Sequence, residues 1–333
     1  MKKLAIAAAA AAALASGGAH AYTTGTFSNG FVVPNVIHNG GTDTTVVGVS
    51  TADTAVAVNW VFYDQDSVHK RDGCFNMTAN DFEAFNWSAP KNGSLTLDVS
   101  ALAGTRGYLV FAVGADASAG ATGAVLNVGS NCTDYGAYLP STTAIPNASA
   151  PLIGGAAFHV KSSTSDVAYV PVIDGPLTVA DAAGVATNFA SALNDPIVAV
   201  NGAAPGGTST HYMRFFTEGT AATSIVIWNT GAIDATLSAG TATKAAYTKV
   251  AFPFDTAQNN YGSITLPLTK KELNILNAKT VVGATPTDGF IKWSPAASTT
   301  GGALASTAYN MYTYSVVDAP AFGALQSIVN LYK

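Results

Sequence analysis

Five short blocks of this chain occur twice and in the same order, so any fold for the first half has to serve the second as well. Gly41-Thr42, followed shortly by TVVGVST, resembles Gly219-Thr220, followed shortly by SIVIWNT. Phe62-Tyr63-Asp64 matches Pro253-Phe254-Asp255. Thr78-Ala79-Asn80-Asp81-Phe82 through Phe85-Asn86 matches Thr269-Lys270-Lys271-Glu272-Leu273 through Leu276-Asn277. Gly107-Tyr108-Leu109-Val110-Phe111 pairs with Gly289-Phe290-Ile291-Lys292-Trp293, and Val172-Ile173-Asp174-Gly175-Pro176 with Val316-Val317-Asp318-Ala319-Pro320. The offsets run 178, 191, 191, 182 and 144, so the first half carries 38 extra residues between its fourth and fifth blocks.

The blocks read as strands. In AVAVNWVFYD, Val56, Val58, Trp60 and Phe62 share one face, the alternation of a half-buried strand. TTVVGVS, RGYLVFAV, TSIVIWN, GFIKW and MYTYSVV are rich in β-branched and aromatic residues, and Gly, Pro and Asn separate them. The fold class expected is all-β: two tandem antiparallel β-sandwich domains of the immunoglobulin-like kind, with minor short helices. The first domain spans 22–176 with an insertion at 113–155. A linker follows at 177–207, where LTVADAAGVATNFASAL (177–193) patterns as a short helix opened by Thr178 and Asp181. The second domain spans 208–333.

Residues 1–21, MKKLAIAAAAAAALASGGAHA, read as a bacterial secretory leader: two lysines, a short Ala-rich apolar run, and Ala19-His20-Ala21 before the expected cut at Tyr22. A run this short cannot cross about 30 Å of hydrocarbon, and no later segment reads as a transmembrane span. The expected location is therefore extracellular or at the cell surface, with the periplasm as the alternative. Losing Lys2 and Lys3 takes the formal charge from −5 to −7, with no basic cluster, which argues against a nucleic-acid partner. Charged residues are 11% of the chain, against about 25% in ordinary globular domains.

Residues 61–87, VFYDQDSVHKRDGCFNMTANDFEAFNW, concentrate the reactive side chains. Cys74 and Cys132 are the only cysteines, and in an oxidising compartment they are expected to form one structural disulfide. Asp64, Asp66 and Asp72 offer hard oxygen ligands for a structural calcium. Val68 stands where a further ligand belongs, however, and the second-half loop DTAQNNYG keeps Asp255 but has Ala257 in place of Asp66. A polar hairpin turn without cofactor is the preferred reading.

Thr78 with Asp81 and Thr269 with Glu272 have capping-box spacing. They are expected to cap short helical turns whose Phe82/Phe85 and Leu273/Leu276 plug the sandwich edge. Trp60, Trp228 and Trp293 are expected in the core, and Trp87 is the candidate exposed aromatic for a ligand. His38, His69, His159 and His211 lack zinc spacing, and the chain has no HExxH, CxxCH or GxSxG, so no catalytic residue is assigned.

The stretches FYDQDSVHKRDGCFNMTANDFEAFNW, RGYLVFAV, HYMRFF, TSIVIWN, DGFIKW and YSVVDAPAFGALQSIVN resemble a family of exported β-rich proteins from proteobacteria. The resemblance implies fold and export, and no catalytic residue. The function expected is that of a non-enzymatic extracellular or cell-surface structural protein, a filament or surface-layer subunit. Self-association by strand addition would use the N-terminal 22–37 or the C-terminal 321–333. A polysaccharide-binding module near Trp87 and the 113–155 insertion is the alternative, and a secreted hydrolase the third reading.

Overall fold

The computed structural model describes residues 25–113, 131–132, 152–175, 177–180, 197–200, 209–230, 250–270, 272–295 and 310–333. The protein is nearly all β, built of several antiparallel sheets. The first half contributes β1 (Gly30–Val36), β2 (Asp43–Thr51), β3 (Val56–Asp64), β4 (His69–Met77) and β5 (Phe82–Asn86). The short β6 (Lys91–Asn92) and β7 (Leu95–Thr96) follow, then β8 (Gly107–Val113), β9 (Ile153–Lys161), β10 (Asp166–Val170) and β11 (Ile173–Asp174). Between the halves lie β12 (Leu177–Ala180) and β13 (Ile197–Val200). The second half runs β14 (His211–Phe216), β15 (Ala222–Thr230), β16 (Val250–Asp255), β17 (Ile264–Thr265) and β18 (Leu273–Asn277). It ends with helix α1 (Ala278–Val282), β19 (Asp288–Trp293), β20 (Asn310–Ala319), β21 (Ala324–Val329) and β22 (Leu331–Tyr332).

Four sheets carry the fold: sheet I, β10-β9-β2-β5; sheet II, β11-β1-β8-β3-β4; sheet III, β21-β20-β15-β18; and sheet IV, β22-β14-β19-β16-β17. Written this way, the strand orders of I and III, and of II and IV, match strand for strand. Fine details repeat too. Asp64 faces Gly107 across β3 and β8, and Asp255 faces Gly289 across β16 and β19. Both glycines are required, because a Cβ there would lie 2.0 Å from the carbonyl oxygen of Tyr63 or 1.8 Å from that of Phe254. Thr45 and Thr223 each exchange two bonds with a backbone unit on the preceding strand. The Thr45 hydroxyl accepts from Ile37 N–H at 3.0 Å and donates to its carbonyl at 3.1 Å; for Thr223 and Phe216 the distances are 2.9 and 2.7 Å.

Four of the five sequence blocks occupy equivalent strands. The fifth pair does not: Val172–Pro176 holds edge strand β11 of sheet II, while Val316–Pro320 ends β20 inside sheet III. The topological partner of β11 is β22, so the likeness of those two stretches is one of strand composition. The linker also differs at its start. Residues 177–180, expected to open a helix, form β12 and pair antiparallel with β13, Leu177 opposite Val200; residues 181–193 of that segment lie outside the described residues. Of the expected insertion, Val113 still belongs to β8 and Ile153–Gly155 already to β9.

The sheets pack face to face in the order I, II, III, IV, and at one edge β10 of sheet I also lies beside β21 of sheet III. Trp60 and Phe111 of sheet II meet Phe85 of sheet I at ring distances of 5.2 and 5.1 Å. The opposite face of sheet II carries Tyr63, Tyr108 and Val110, and Tyr108 meets Trp228 of sheet III edge-on at 6.2 Å. One apolar cluster therefore runs through both halves, taking in Val226, Trp228, Leu273, Tyr312, Tyr314 and Val316 from the second. The other face of sheet III, with Ile225, Ile227 and Met311, packs on Met213, Phe215, Ile291 and Trp293 of sheet IV.

Candidate functional site

The aspartates of the dense stretch organise a turn. Leaving β3, the Asp64 carboxylate accepts the backbone N–H of Asp66 at 2.9 Å and of Val68 at 3.0 Å, while Ser67 takes a left-handed conformation at φ 59°. The second half repeats this: Asp255 accepts the Asn259 N–H at 2.9 Å, and Gln258 is left-handed at φ 66°. Hydrogen bonds from the Asn259 side chain and backbone hold the Asp255 carboxyl below the usual range.

The three calcium candidates diverge to three different partners. Asp64 pairs with Lys70 at 2.9 Å, Asp72 with His69 at 3.0 Å, and Asp66 with Lys270 of the other half. Among the described residues no three His, Cys, Asp or Glu side chains gather as a metal-ligand set.

The capping-box pairs enter strands instead of helices. Thr78 donates its N–H and hydroxyl to the Asp81 carboxylate at 3.1 and 3.0 Å, and Phe82 N–H bonds the other oxygen at 2.8 Å. The backbone bond from Thr78 comes first among the causes that lower the Asp81 pKa. The chain then continues as β5, not as a helical turn. A period of two replaces one of 3.6, so Phe82 and Phe85 point to opposite faces.

Trp87, two residues past Phe85, shares the inward face. It is fully buried between Phe62 at 4.3 Å, Trp60 at 6.1 Å and His38 at 6.0 Å, and is not an exposed ligand platform. Leu273 and Leu276 split in the same way, Leu273 toward the first half and Leu276 into the core between sheets III and IV. Thr269 precedes a turn, and Glu272, buried, accepts the hydroxyl of Ser67 from the first half. The equivalent of Asp81 thus ties the two halves together.

Cys74 of β4 and Cys132 stand at disulfide distance, with Cα atoms 5.7 Å apart. The Cys132 N–H also donates to Asn76 Oδ1 at 2.8 Å. Of the histidines, His159 bonds the Asn35 carbonyl at 2.9 Å and His211 faces the Thr313 hydroxyl at 3.3 Å. Burial lowers both to a pKa of about 4, so both are neutral structural groups at pH 7.

The joint between the halves was not anticipated from sequence. Besides its apolar cluster it holds Lys161 against Asp318 at 2.6 Å, a hydrogen bond that raises the lysine pKa. Arg106 reaches Asn35 at 3.4 Å beside Tyr314, whose phenol burial pushes far up. A signal for the joint existed: GYLVFAV and VFY lack alternation, as strands covered on both faces do.

The two terminal segments are paired inside the chain. β1 lies between β11 and β8; β21 pairs with β20, and β22 with β14. Among the described residues no helix is long and apolar enough to cross a membrane. Comparison of the chain with protein-family models, with curated proteins and with solved structures finds no match.

Proposed function

We propose that the protein is a non-enzymatic exported structural protein, a self-assembling subunit of the cell surface or extracellular space, in a family of exported β-rich proteins from proteobacteria. The observation that supports this reading most is the use made of the reactive side chains. Asp64 and Asp81 hold turns, Asp66 and Glu272 tie the halves, and His159 and His211 are buried neutral. What remains is a stack of four sheets held by two apolar cores, one of which spans both halves, suited to bear load. Assembly by the terminal strands would require β1, β21 or β22 to leave partners within the chain, so assembly is assigned to sheet faces below. Electron microscopy of protein exported with its leader, over a concentration series, tests the reading: ordered polymers are expected, and monomers at every concentration would sink it.

A polysaccharide-binding reading rests on the aromatic outer face of sheet IV, where Phe254 and Phe290 stack at 5.2 Å, and no longer on Trp87. Retention on insoluble polysaccharide is its test.

A further inference from the structure

We propose that the protein polymerises head to tail by repeating between molecules the contact that joins its own halves, the outer face of sheet IV packing on the outer face of sheet I of the next copy. This rests on the self-assembly reading above.

The two halves share a strand order, so each offers two outer faces, one on its four-stranded and one on its five-stranded sheet. Within the molecule the five-stranded sheet of the first half meets the four-stranded sheet of the second. That contact is heterologous, since its two sides differ. One face of each kind is consequently left over, sheet I at one end and sheet IV at the other.

The leftover faces repeat the aromatic positions of the joined ones, while sheet IV also carries Arg214, paired with Asp288, and Lys292, the last where sheet II has the buried Val110. Tyr63 and Tyr108 are cross-strand partners stacked at 5.3 Å on sheet II; their equivalents on sheet IV, Phe254 and Phe290, are cross-strand partners stacked at 5.2 Å. Two residues before each pair, Val61 is 1% exposed in the joint and Phe252 is 40% exposed outside it. On the other side of the joint Leu273 is 0% and Val316 is 8% exposed, while their equivalents on sheet I, Phe82 and Phe158, are 65% and 38% exposed.

Sheet I carries less bulk, with Ser50 and Ala156 where sheet III has Trp228 and Tyr314, and its exposed rings are Phe82, Phe158 and Phe27. Gly48 and Gly154 stand where sheet III has Val226 and Tyr312, and the rings of Phe82 and Phe27 lie over them. No outward-facing residue of β2, β5, β9 or β10 is charged. A sheet face that is aromatic, uncharged and solvent-exposed marks an interaction surface. Here the fold itself displays the partner that such a face accepts. A heterologous contact that does not close on itself gives an open filament. Four layers at about 10 Å spacing set an upper limit of about 40 Å on the axial repeat, because sheets I and III draw together at the β10 and β21 edges.

The test uses protein exported with its leader, in two variants, Phe252→Glu on sheet IV and Phe158→Glu on sheet I, followed by sedimentation velocity and electron microscopy. Wild type is expected to form filaments with an axial repeat of at most about 40 Å. Each variant alone is expected to stay monomeric, because every contact needs one face of each kind. An equimolar mixture is expected to stop at the dimer, since each variant lends its intact face. Dimer formation also shows that both variants are folded; Phe82→Glu replaces Phe158→Glu if that chain fails to accumulate. Filaments that persist in either variant, or a mixture that remains monomeric beside a polymerising wild type, overturn the face assignment alone. A monomeric wild type overturns the self-assembly reading with it. If that monomer is held by insoluble polysaccharide and released by Phe252→Glu, the face belongs to a glycan instead.

Discussion

The Tyr63–Tyr108 stack and the Phe254–Phe290 stack occupy the same place in the two halves, yet one lies in the middle of the molecule and the other on its outside. Both sit on the strand pair closed by an Asp opposite a Gly, so local sequence and register build the same object twice. The difference lies in the neighbour. Trp228, with Tyr312 and Tyr314 beside it, covers the first stack, and among the described residues nothing covers the second in the same way. A half of this protein therefore fixes the shape of its outer face but not its role.

The largest test of that comparison removes the cover. Trp228→Ala opens a cavity in the joint and is expected to cost about 3–5 kcal/mol. Phe252→Ala on the outer face is expected to stay within about 1 kcal/mol. Denaturant unfolding should also be a single transition in the wild type, because one cluster spans both halves. Two separated transitions, or equal costs for the two substitutions, would break the comparison.

Next comes the bridge that only the first half owns. Replacing Cys74 and Cys132 together by Ala is expected to cost about 4 kcal/mol in the loop-entropy model, given their sequence separation of 58. Urea midpoints under oxidising and reducing conditions measure it, and an unchanged midpoint would mean the bridge carries no load.

Acid sharpens the comparison further, because the first half buries His38 and His159 and the second His211. His159 and His211 fall from 6.5 to about 4 on folding, so between those values the unfolded chain binds more protons. Their stabilising contribution is fully present above pH 6.5 and is lost as pH falls toward 4, up to about 3 kcal/mol each. Asp174, raised by burial, acts with the opposite sign just above its ordinary value and offsets part of the loss. Stability from urea unfolding between pH 7 and 4.5 should fall steadily, and a flat profile would contradict the burial of both rings.

The smallest effect concerns Asp66 and Lys270. Their pair is exposed, so a double-mutant cycle is expected to give less than about 1 kcal/mol, shrinking further in high salt. Millimolar calcium should leave the melting temperature unchanged while Lys70 and Lys270 hold the carboxylates; a clear rise would restore the cation reading.

Much of the fold was legible in the chain. Alternation in β2 and β3, the paired glycines 107 and 289, and the repeated Asp turns each have a local cause, steric or hydrogen-bonded, that acts within a few residues. Legibility failed where two periods fit the same residues. DFEAFNW admits a helical turn with Phe82 and Phe85 on one face, or a strand that separates them, and only pairing with β2 selects the strand. That choice moved Trp87 from the surface to the core. It also makes Phe82, and not Trp87, the exposed aromatic of the stretch.

By itself the sequence determined that this protein is all-β, that it is built twice over one plan, and that Cys74 and Cys132 are the pair to join, because strand period, turn chemistry and cysteine count are properties of short segments. Only the tertiary structure decided which faces meet. Joining the halves depends on residues more than a hundred positions apart, Tyr108 of sheet II with Trp228 and Lys161 of sheet I with Asp318, and no local pattern encodes a partner at that distance. The same physics that left sheets I and IV with the two unmatched faces made them the surfaces on which the assembly proposal stands.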